Sequence, residues 1–211
     1  SKAARAYVII STDTVWTKTQ SPIVPNDNVW VQSGVTLTIE PGVVVKLKEN
    51  QFIAIAGFLK AAGSKSDPII FTSFKDDQYG GDTNGDGNAS APQPGDWYYM
   101  TFYNGGVGVL DYVIIKYGGV WKYGGINYYT SAINTFKGDV SITNSIITNN
   151  AGGIRNAQGP LTITNSSIYN NPQPFWKGEL FDVAIGNNAG SSSSTVSAIN
   201  NWWGTSEGPC V

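Results

Sequence analysis

Acidic residues concentrate in one segment, from Lys75 to Asp96, and their spacing is the clearest chemical signal in the chain. The segment holds five of the 15 acidic residues, namely Asp76, Asp77, Asp82, Asp86 and Asp96. Its core reads Asp82-x-Asn84-x-Asp86-Gly87-Asn88, with oxygen-bearing side chains at alternate positions and glycine at the sharp turn. This pattern matches the first half of an EF-hand-type calcium loop.

Residues outside that core would have to complete a calcium site. Calcium takes about six to eight oxygen ligands, and Gln93 stands where the bidentate glutamate of such a loop is expected. Asp96, Asp77 or Asp76 would then supply the missing oxygens. The alternative is a solvated acidic turn, but clustered carboxylates repel one another unless a cation is present. We therefore predict a structural Ca²⁺ that pins an excursion of about 20 residues with no core of its own.

The composition excludes several kinds of catalytic and metal chemistry. The chain has no histidine, which excludes a Ser-His-Asp triad and histidine-ligated zinc. Its one cysteine, Cys210, cannot form an internal disulfide or a thiolate metal cluster. Cys210 is therefore either an incidental thiol or a residue that forms a disulfide between two chains.

A repeat predicts the elements that carry the acidic segment. Val140 to Asn150 reads VSITNSIITNN, and Leu161 to Asn171 reads LTITNSSIYNN. Repeats of about 20 to 50 residues are typical of solenoids, in which each unit buries its apolar face against its neighbours. The alternation of apolar and polar residues, with many β-branched side chains, is strand spacing.

Two earlier segments show three strands in each unit. Short alternating runs, split by glycine or Pro-Gly, occur at 29–31, 37–39 and 45–47, and again at 53–55, 59–61 and 69–71. Three short strands and tight turns describe one coil of a parallel β-helix, with successive coils about 4.8 Å apart. We predict an all-β, right-handed parallel β-helix of about seven to eight coils, with the acidic loop inserted.

Asparagine recurs at one phase of the repeat. Asn144 and Asn165 fall at the same corner, and we assign Asn201 to it as well. Asparagine tolerates left-handed backbone angles, and its amide can bond the equivalent asparagine one coil away. The pattern predicts an asparagine ladder, although asparagine is also simply common in turns.

Three further segments read VTLTIEPGVVVKL at 35–47, PIIFTS at 68–73 and NNWWGTSEGP at 200–209. With these segments the chain resembles the right-handed parallel β-helix repeat proteins with the pectin-lyase-like fold. The resemblance spans residues 20 to 209 and implies a protein secreted by, or displayed on, bacteria or archaea. It implies little about activity, because that fold hosts lyases, hydrolases, adhesins and fibre subunits.

Two enzyme classes of this fold stay open, and neither has a supporting motif. A calcium-assisted polysaccharide lyase needs a cationic base near the metal, and the candidates are Arg5, Arg155, Lys116 and Lys137. A glycoside hydrolase needs paired carboxylates, but acids outside the calcium segment are sparse: Asp111, Asp139, Glu179 and Asp182. We therefore favour a non-catalytic role.

Aromatic residues crowd the stretch from Trp97 to Tyr129. In alternating strands some of them must face outward, and we select Trp121, Tyr123, Tyr128 and Tyr129 as a candidate surface. Such a surface would stack on sugar rings or contact a protein partner. The alternative is that these rings fill the interior or cover loops.

The ends of a solenoid are open strand edges that can template pairing. Residues 1–19 precede the β-helix domain at 20–209 and contain an apolar strand, Ala6-Tyr7-Val8-Ile9-Ile10. It would cap its own chain or be donated to a neighbouring subunit, and donation would propagate a homo-oligomer into a filament. Residues 172–195 break the coil period and are predicted as an irregular loop, and 210–211 form a short tail.

The net charge and the hydropathy of the chain limit the kinds of partner that it is expected to bind. The net charge of −2 and pI near 5.0 give no basic footprint for nucleic acid, and no apolar stretch is long enough to span a membrane. The start at Ser1 suits an exported product whose signal has been removed. We expect an extracellular or cell-surface structural or adhesive module, with a carbohydrate-binding module or a calcium-dependent lyase as the alternative.

Overall fold

The computed structural model describes residues 7–123, 126–171, 173–176, 179–181, 185–187 and 195–203, without the side chains of 121–129 and 172–194. These residues form 23 β-strands and one short 3₁₀ turn, Lys18–Gln20, and none of them lies in an α-helix. No helix in this part of the chain has the length and apolarity to cross a lipid bilayer.

The strands are short throughout the described chain. They are β1 (Tyr7–Ile10), β2 (Thr14–Trp16), β3 (Asn28–Val31), β4 (Thr36–Ile39), β5 (Val44–Leu47), β6 (Ile53–Ile55), β7 (Phe58–Ala62), β8 (Ile69–Ser73), β9 (Met100–Tyr103), β10 (Val107–Asp111), β11 (Val113–Lys116), β12 (Val120–Tyr123), β13 (Ile126–Tyr129), β14 (Ile133–Phe136), β15 (Asp139–Thr143), β16 (Ile146–Thr148), β17 (Ile154–Gln158), β18 (Leu161–Thr164), β19 (Ser167–Tyr169), β20 (Gln173–Trp176), β21 (Glu179–Phe181), β22 (Ile185–Asn187) and β23 (Val196–Ile199).

Nineteen of these strands belong to three parallel sheets. Sheet 1 runs β1-β3-β6-β9-β14-β17-β22, sheet 2 runs β2-β4-β7-β10-β15-β18-β23, and sheet 3 runs β5-β8-β11-β16-β19. From β3 onward the chain visits the sheets in the order 1, 2, 3 and returns to sheet 1 one strand further along. The remaining strands form two antiparallel hairpins, β12–β13 and β20–β21.

The predicted repeat corresponds to strand pairing. Val140 pairs with Leu161 in sheet 2, so the two similar segments lie on adjacent strands. The earlier triplets also pair, with Val29 beside Ile53. Sheet 3 differs from the sequence alignment, because Val45 pairs with Phe71 rather than with Ile69. The turn before β8 is longer than its counterpart before β5, which shifts the register by two residues and keeps the same side chains inward.

The alternating apolar residues form a single continuous core. The fully buried members of that core include Val29 and Val31 on sheet 1, Leu37 on sheet 2, and Val45 and Phe71 on sheet 3. Because strand residues alternate between faces, their sequence neighbours point outward. The outward residues therefore form columns that run from strand to strand along each sheet.

The asparagine ladder lies at a different corner from the one predicted. Thr164 pairs with Ile199, so Asn200, not Asn201, is the counterpart of Asn144 and Asn165, and all three have positive φ. The Asn144 amide donates to Asp111 Oδ1 at 2.8 Å rather than to Asn165, which is exposed.

Asn201 instead accepts the Ser166 backbone N–H at 2.8 Å and donates to the Ile163 carbonyl. The prediction was wrong for this trio because two adjacent asparagines, 200 and 201, leave the register ambiguous by one residue. At this corner the Asn201 side chain bonds backbone groups rather than the amide of another asparagine.

The asparagine pair that does stack is Asn150 with Asn171. The Asn150 amide donates to Asn171 Oδ1 at 3.0 Å and to the Ile115 carbonyl at 3.0 Å, and its own oxygen accepts the Gly118 N–H at 2.9 Å. Both side chains are fully buried. This pair ties together the chain segments of three neighbouring strands, β11, β16 and β19, where backbone groups would otherwise be buried unpaired.

The N-terminal segment and residues 172–195 both contribute strands to the sheets. β1 and β2 pair with β3 and β4 of the same chain, in parallel, and are the first strands of sheets 1 and 2. Ala6 lies outside the described residues. Within 172–195 the structure describes the hairpin β20–β21 and then β22, which continues sheet 1.

Replacing Asn150 by alanine is expected to lower the free energy of unfolding by about 2–4 kcal/mol, because the buried backbone groups of Gly118, Ile115 and Thr148 lose a partner. Thr162→Ala, at an exposed position of β18, is the control and should change it by less than about 0.5 kcal/mol. Urea denaturation measures both. Equal losses for the two variants would contradict a special role for the Asn150–Asn171 pair.

Candidate cation site

The acidic segment lies between β8 and β9, over the outer face of sheet 3. On that face Lys46 pairs in register with Thr72, and Lys116 on the next strand pairs with Thr148. Lys46 and Thr72 are fully buried and Lys116 is nearly so. Outward-facing strand residues are buried only when other groups cover them. On this face of sheet 3 the covering groups belong to the acidic segment.

The two ends of the segment are fixed by Asp76 and Asp96. Asp76 is buried, accepts a hydrogen bond from the Thr72 hydroxyl, and has an oxygen 3.8 Å from the Lys116 ammonium. Asp96 accepts from the Ser73 hydroxyl at 2.7 Å and pairs with Lys75 at 2.9 Å. Both carboxylates are thus engaged by protein donors at the base of the loop, not in the cluster at its tip.

Three other carboxylates meet at the tip. Asp77, Asp82 and Asp86 each place an oxygen within 4.8 Å of the others. This trio includes the first and fifth positions of the predicted calcium loop and one of the residues expected to complete it. Asn88 is exposed and is not engaged in the hydrogen bonds of the tip that are described here.

Backbone amides hold Asp82 in place. Its Oδ2 accepts the Gly87 N–H at 2.9 Å, and its Oδ1 accepts the N–H groups of Gly85 at 2.8 Å and Asp86 at 3.2 Å. These bonds, with the one from Gly87 contributing most, hold the pKa of the Asp82 carboxyl below its usual value. Gly85 and Gly87 both have positive φ, which lets the chain curl around the carboxylate.

Two oxygens at the tip are buried without a hydrogen-bond partner. They are Asp77 Oδ1 and Asn84 Oδ1. The Asn84 amide nitrogen donates to Asp86 Oδ2 at 2.9 Å and to Ser90 Oγ at 3.0 Å, which places this side chain against the trio. Buried oxygens normally have a partner. A set of carboxylate and amide oxygens with no nitrogen or sulfur ligand suits a hard cation such as calcium.

Sequence reasoning missed Lys46. Its ammonium donates to the Gly81 carbonyl and, at 3.0 Å, to the Thr83 hydroxyl, so it holds the loop on both sides of Asp82. Burial lowers the pKa of Lys46, while the charges of Asp77, Asp76 and Asp82 act in the opposite direction. A lone lysine in an apolar strand, Val45-Lys46-Leu47, was the only available signal.

Lys116, one of the candidate bases for a lyase, lies beside the acidic loop. Its ammonium is 3.4 Å from Gln78 Oε1 and lies over the rings of Tyr79 and Tyr117, 4.9 and 4.7 Å from their centroids. With its side chain 8% exposed and Asp76 beside it, this group is engaged in packing the loop. Arg155 lies on β17 of sheet 1, and Lys137 directly follows β14 of the same sheet. Arg5 lies outside the described residues.

The selected aromatic residues all lie on the hairpin β12–β13, where Trp121 pairs with Tyr128. Their side chains are outside the described part of the structure. A different aromatic row covers the outer face of sheet 1, with neighbouring ring centroids 5.5–6.1 Å apart: Tyr98, Tyr99, Phe52, Tyr7, Trp30 and Tyr103. Sequence reasoning missed this row because its members come from four separate segments.

The predicted assembly strand lies at the first edge of sheet 1. Val8 and Ile10 face the core, whereas Ile9 faces outward and is 56% exposed. Comparison of the chain with protein-family models, curated proteins and solved structures found no match.

The lowered pKa of Asp82 predicts the pH dependence of the loop tip. A carboxyl whose pKa falls on folding contributes stability above its unfolded-state pKa, and that contribution is lost as the pH falls through the lower folded-state value. We expect the amide resonances of Gly85 and Gly87 to move in an NMR titration only at pH values below the usual aspartate pKa of about 3.8.

The control for this titration is Asp82→Asn, which should abolish the transition at both glycines. A transition centred at the usual aspartate value in the unsubstituted chain would contradict the hydrogen bonding described for Asp82.

Proposed function

We propose that the chain is a non-catalytic structural or adhesive module of the extracellular space or cell surface, stabilised by calcium and able to associate head to tail. The three parallel sheets, visited in a fixed order, support interpreting the fold as a right-handed parallel β-helix of the pectin-lyase-like type with about seven coils. We choose the right-handed form because connections between parallel strands of one sheet are generally right-handed.

The calcium part of the proposal is carried by the two unpaired oxygens beside the acidic trio. A bound cation would supply the partner that Asp77 Oδ1 and Asn84 Oδ1 lack, and it would offset the repulsion among Asp77, Asp82 and Asp86. The candidate ligands are these four side chains. Asp76 and Asp96 are left out because Lys116 and Lys75 already neutralise them.

Self-association is supported by the two ends of the stack. At the first end, β1 and β2 are edge strands with Ile9 and Val15 at least half exposed; at the other end, Ile199 and Trp202 are equally exposed. Both ends present the same two sheets in the same strand direction. A second copy could therefore continue the ladder, burying exposed apolar side chains from both partners.

Carbohydrate binding is the second candidate, and the aromatic row on sheet 1 is the observation that favours it. Trp30 and Tyr103 are partly exposed and Phe136, beside Tyr103 in the register, is 51% exposed. Rings of this kind can stack on sugars. A lyase is less well supported, because Lys46 and Lys116 are buried and Lys75 is paired with Asp96.

Calcium binding is testable by titration calorimetry and thermal unfolding. The unsubstituted chain should bind Ca²⁺, and at about 100 times Kd the ion should stabilise it by about 2.7 kcal/mol. Asp82→Asn combined with Asp86→Asn should weaken binding at least about tenfold, because two anionic ligands are lost. Asp139→Asn, at an exposed site on β15, is the control. Absence of both a binding heat and a shift in Tm would refute this part of the proposal.

Negative-stain electron microscopy, with calcium and with chelator, tests the assembly. We expect filaments in calcium, and we expect Ile9→Lys to abolish them because it places a charge on the joint. Phe136→Lys, an equally exposed position in the middle of the stack, should leave filaments intact. Compact single particles under both conditions would overturn self-association and give priority to glycan binding, for which Trp30→Ala would be the first variant.

A further inference from the structure

Lys46 contacts the acidic loop from the outer face of sheet 3. It is fully buried in β5, and its ammonium reaches the Gly81 carbonyl and the Thr83 hydroxyl on either side of Asp82. A buried ammonium is costly unless nearby groups balance its charge. The charges of Asp77, Asp76 and Asp82 favour its protonated form.

The charges of the loop divide into two groups. Asp76 lies against Lys116, and Asp96 is paired with Lys75, so both are balanced at the base. Asp77, Asp82 and Asp86 remain at the tip, with Lys46 as the buried cation beside them. Three carboxylates opposed by one ammonium leave two negative charges, which equals in size the charge of a divalent cation.

We infer that Lys46 is a specificity-determining residue that tunes the cation site to divalent rather than trivalent ions. This inference rests on the calcium site proposed above and names what that site selects. Lys46 is not a ligand. It acts through its charge, which repels any cation at the trio in proportion to that cation's own charge.

The effect of removing the charge follows from Coulomb's law. Lys46→Met keeps an apolar stem of similar length and deletes the ammonium, so every cation should bind more tightly. A trivalent ion gains one unit of charge interaction more than a divalent ion does. For unit charges on the order of 10 Å apart, in a medium with an effective dielectric constant of about 20, that difference is about tenfold in affinity.

The experiment measures Kd for Ca²⁺ and for Tb³⁺ on the full chain by titration. We expect the ratio of the Ca²⁺ Kd to the Tb³⁺ Kd to rise about tenfold in Lys46→Met and in Lys46→Gln, which retains a donor for the Gly81 carbonyl. Lys60→Met, an exposed lysine on sheet 2, makes the same change in net charge and should leave the ratio unchanged.

Each outcome of these titrations either supports or overturns the role assigned to Lys46. If both affinities fall together with the ratio unchanged, or if both Lys46 variants fail to fold, Lys46 only supports the loop and the inference is overturned. Failure of the calcium proposal is distinguishable, because neither ion would then bind the unsubstituted chain. A ratio that rises equally in Lys60→Met would reflect net charge alone and would also overturn the assignment.

Discussion

Hydrogen bonding between neighbouring strands of the three parallel sheets is the constraint on which the rest of this structure depends. Parallel pairing places equivalent residues side by side, so an outward residue always has outward neighbours in a column. On sheet 3 one such column includes Lys46, Thr72 and Lys116. Two lysines on one sheet face need nearby anions, and the loop between β8 and β9 supplies them.

The acidic loop is therefore best understood together with the strands below it. Asp76 balances the charge of Lys116, while a backbone carbonyl of the loop accepts a hydrogen bond from Lys46. The loop buries the column, and the column holds the loop in position. The sequence alone suggested an isolated excursion held only by a metal. The structure instead gives it an anchored base and leaves only the three carboxylates of the tip with an excess of negative charge.

The strand pattern could be predicted from sequence because the pairing constraint repeats in it. The similar segments at 140–150 and 161–171 pair as expected. Asp82 and Asp86 of the predicted calcium loop lie close to each other and to Asp77, while calcium binding itself stays a prediction. Register at corners could not be predicted where two asparagines are adjacent, as at 200 and 201. The partners of Lys46 were also hidden, because a contact between residues 35 positions apart leaves no local pattern.

The position of the loop connects the candidate cation site to the first strands of the sheets. Gly80 lies so close to Pro22 that a β-carbon added at residue 80 would be 2.9 Å from that of Pro22. Pro22 precedes Ile23, which forms a parallel bridge with Val45 of β5. If a cation binds at the tip as proposed, it would restrain this turn and the segment that follows β2. Loop and first strands are thus separate in sequence but adjacent in the fold.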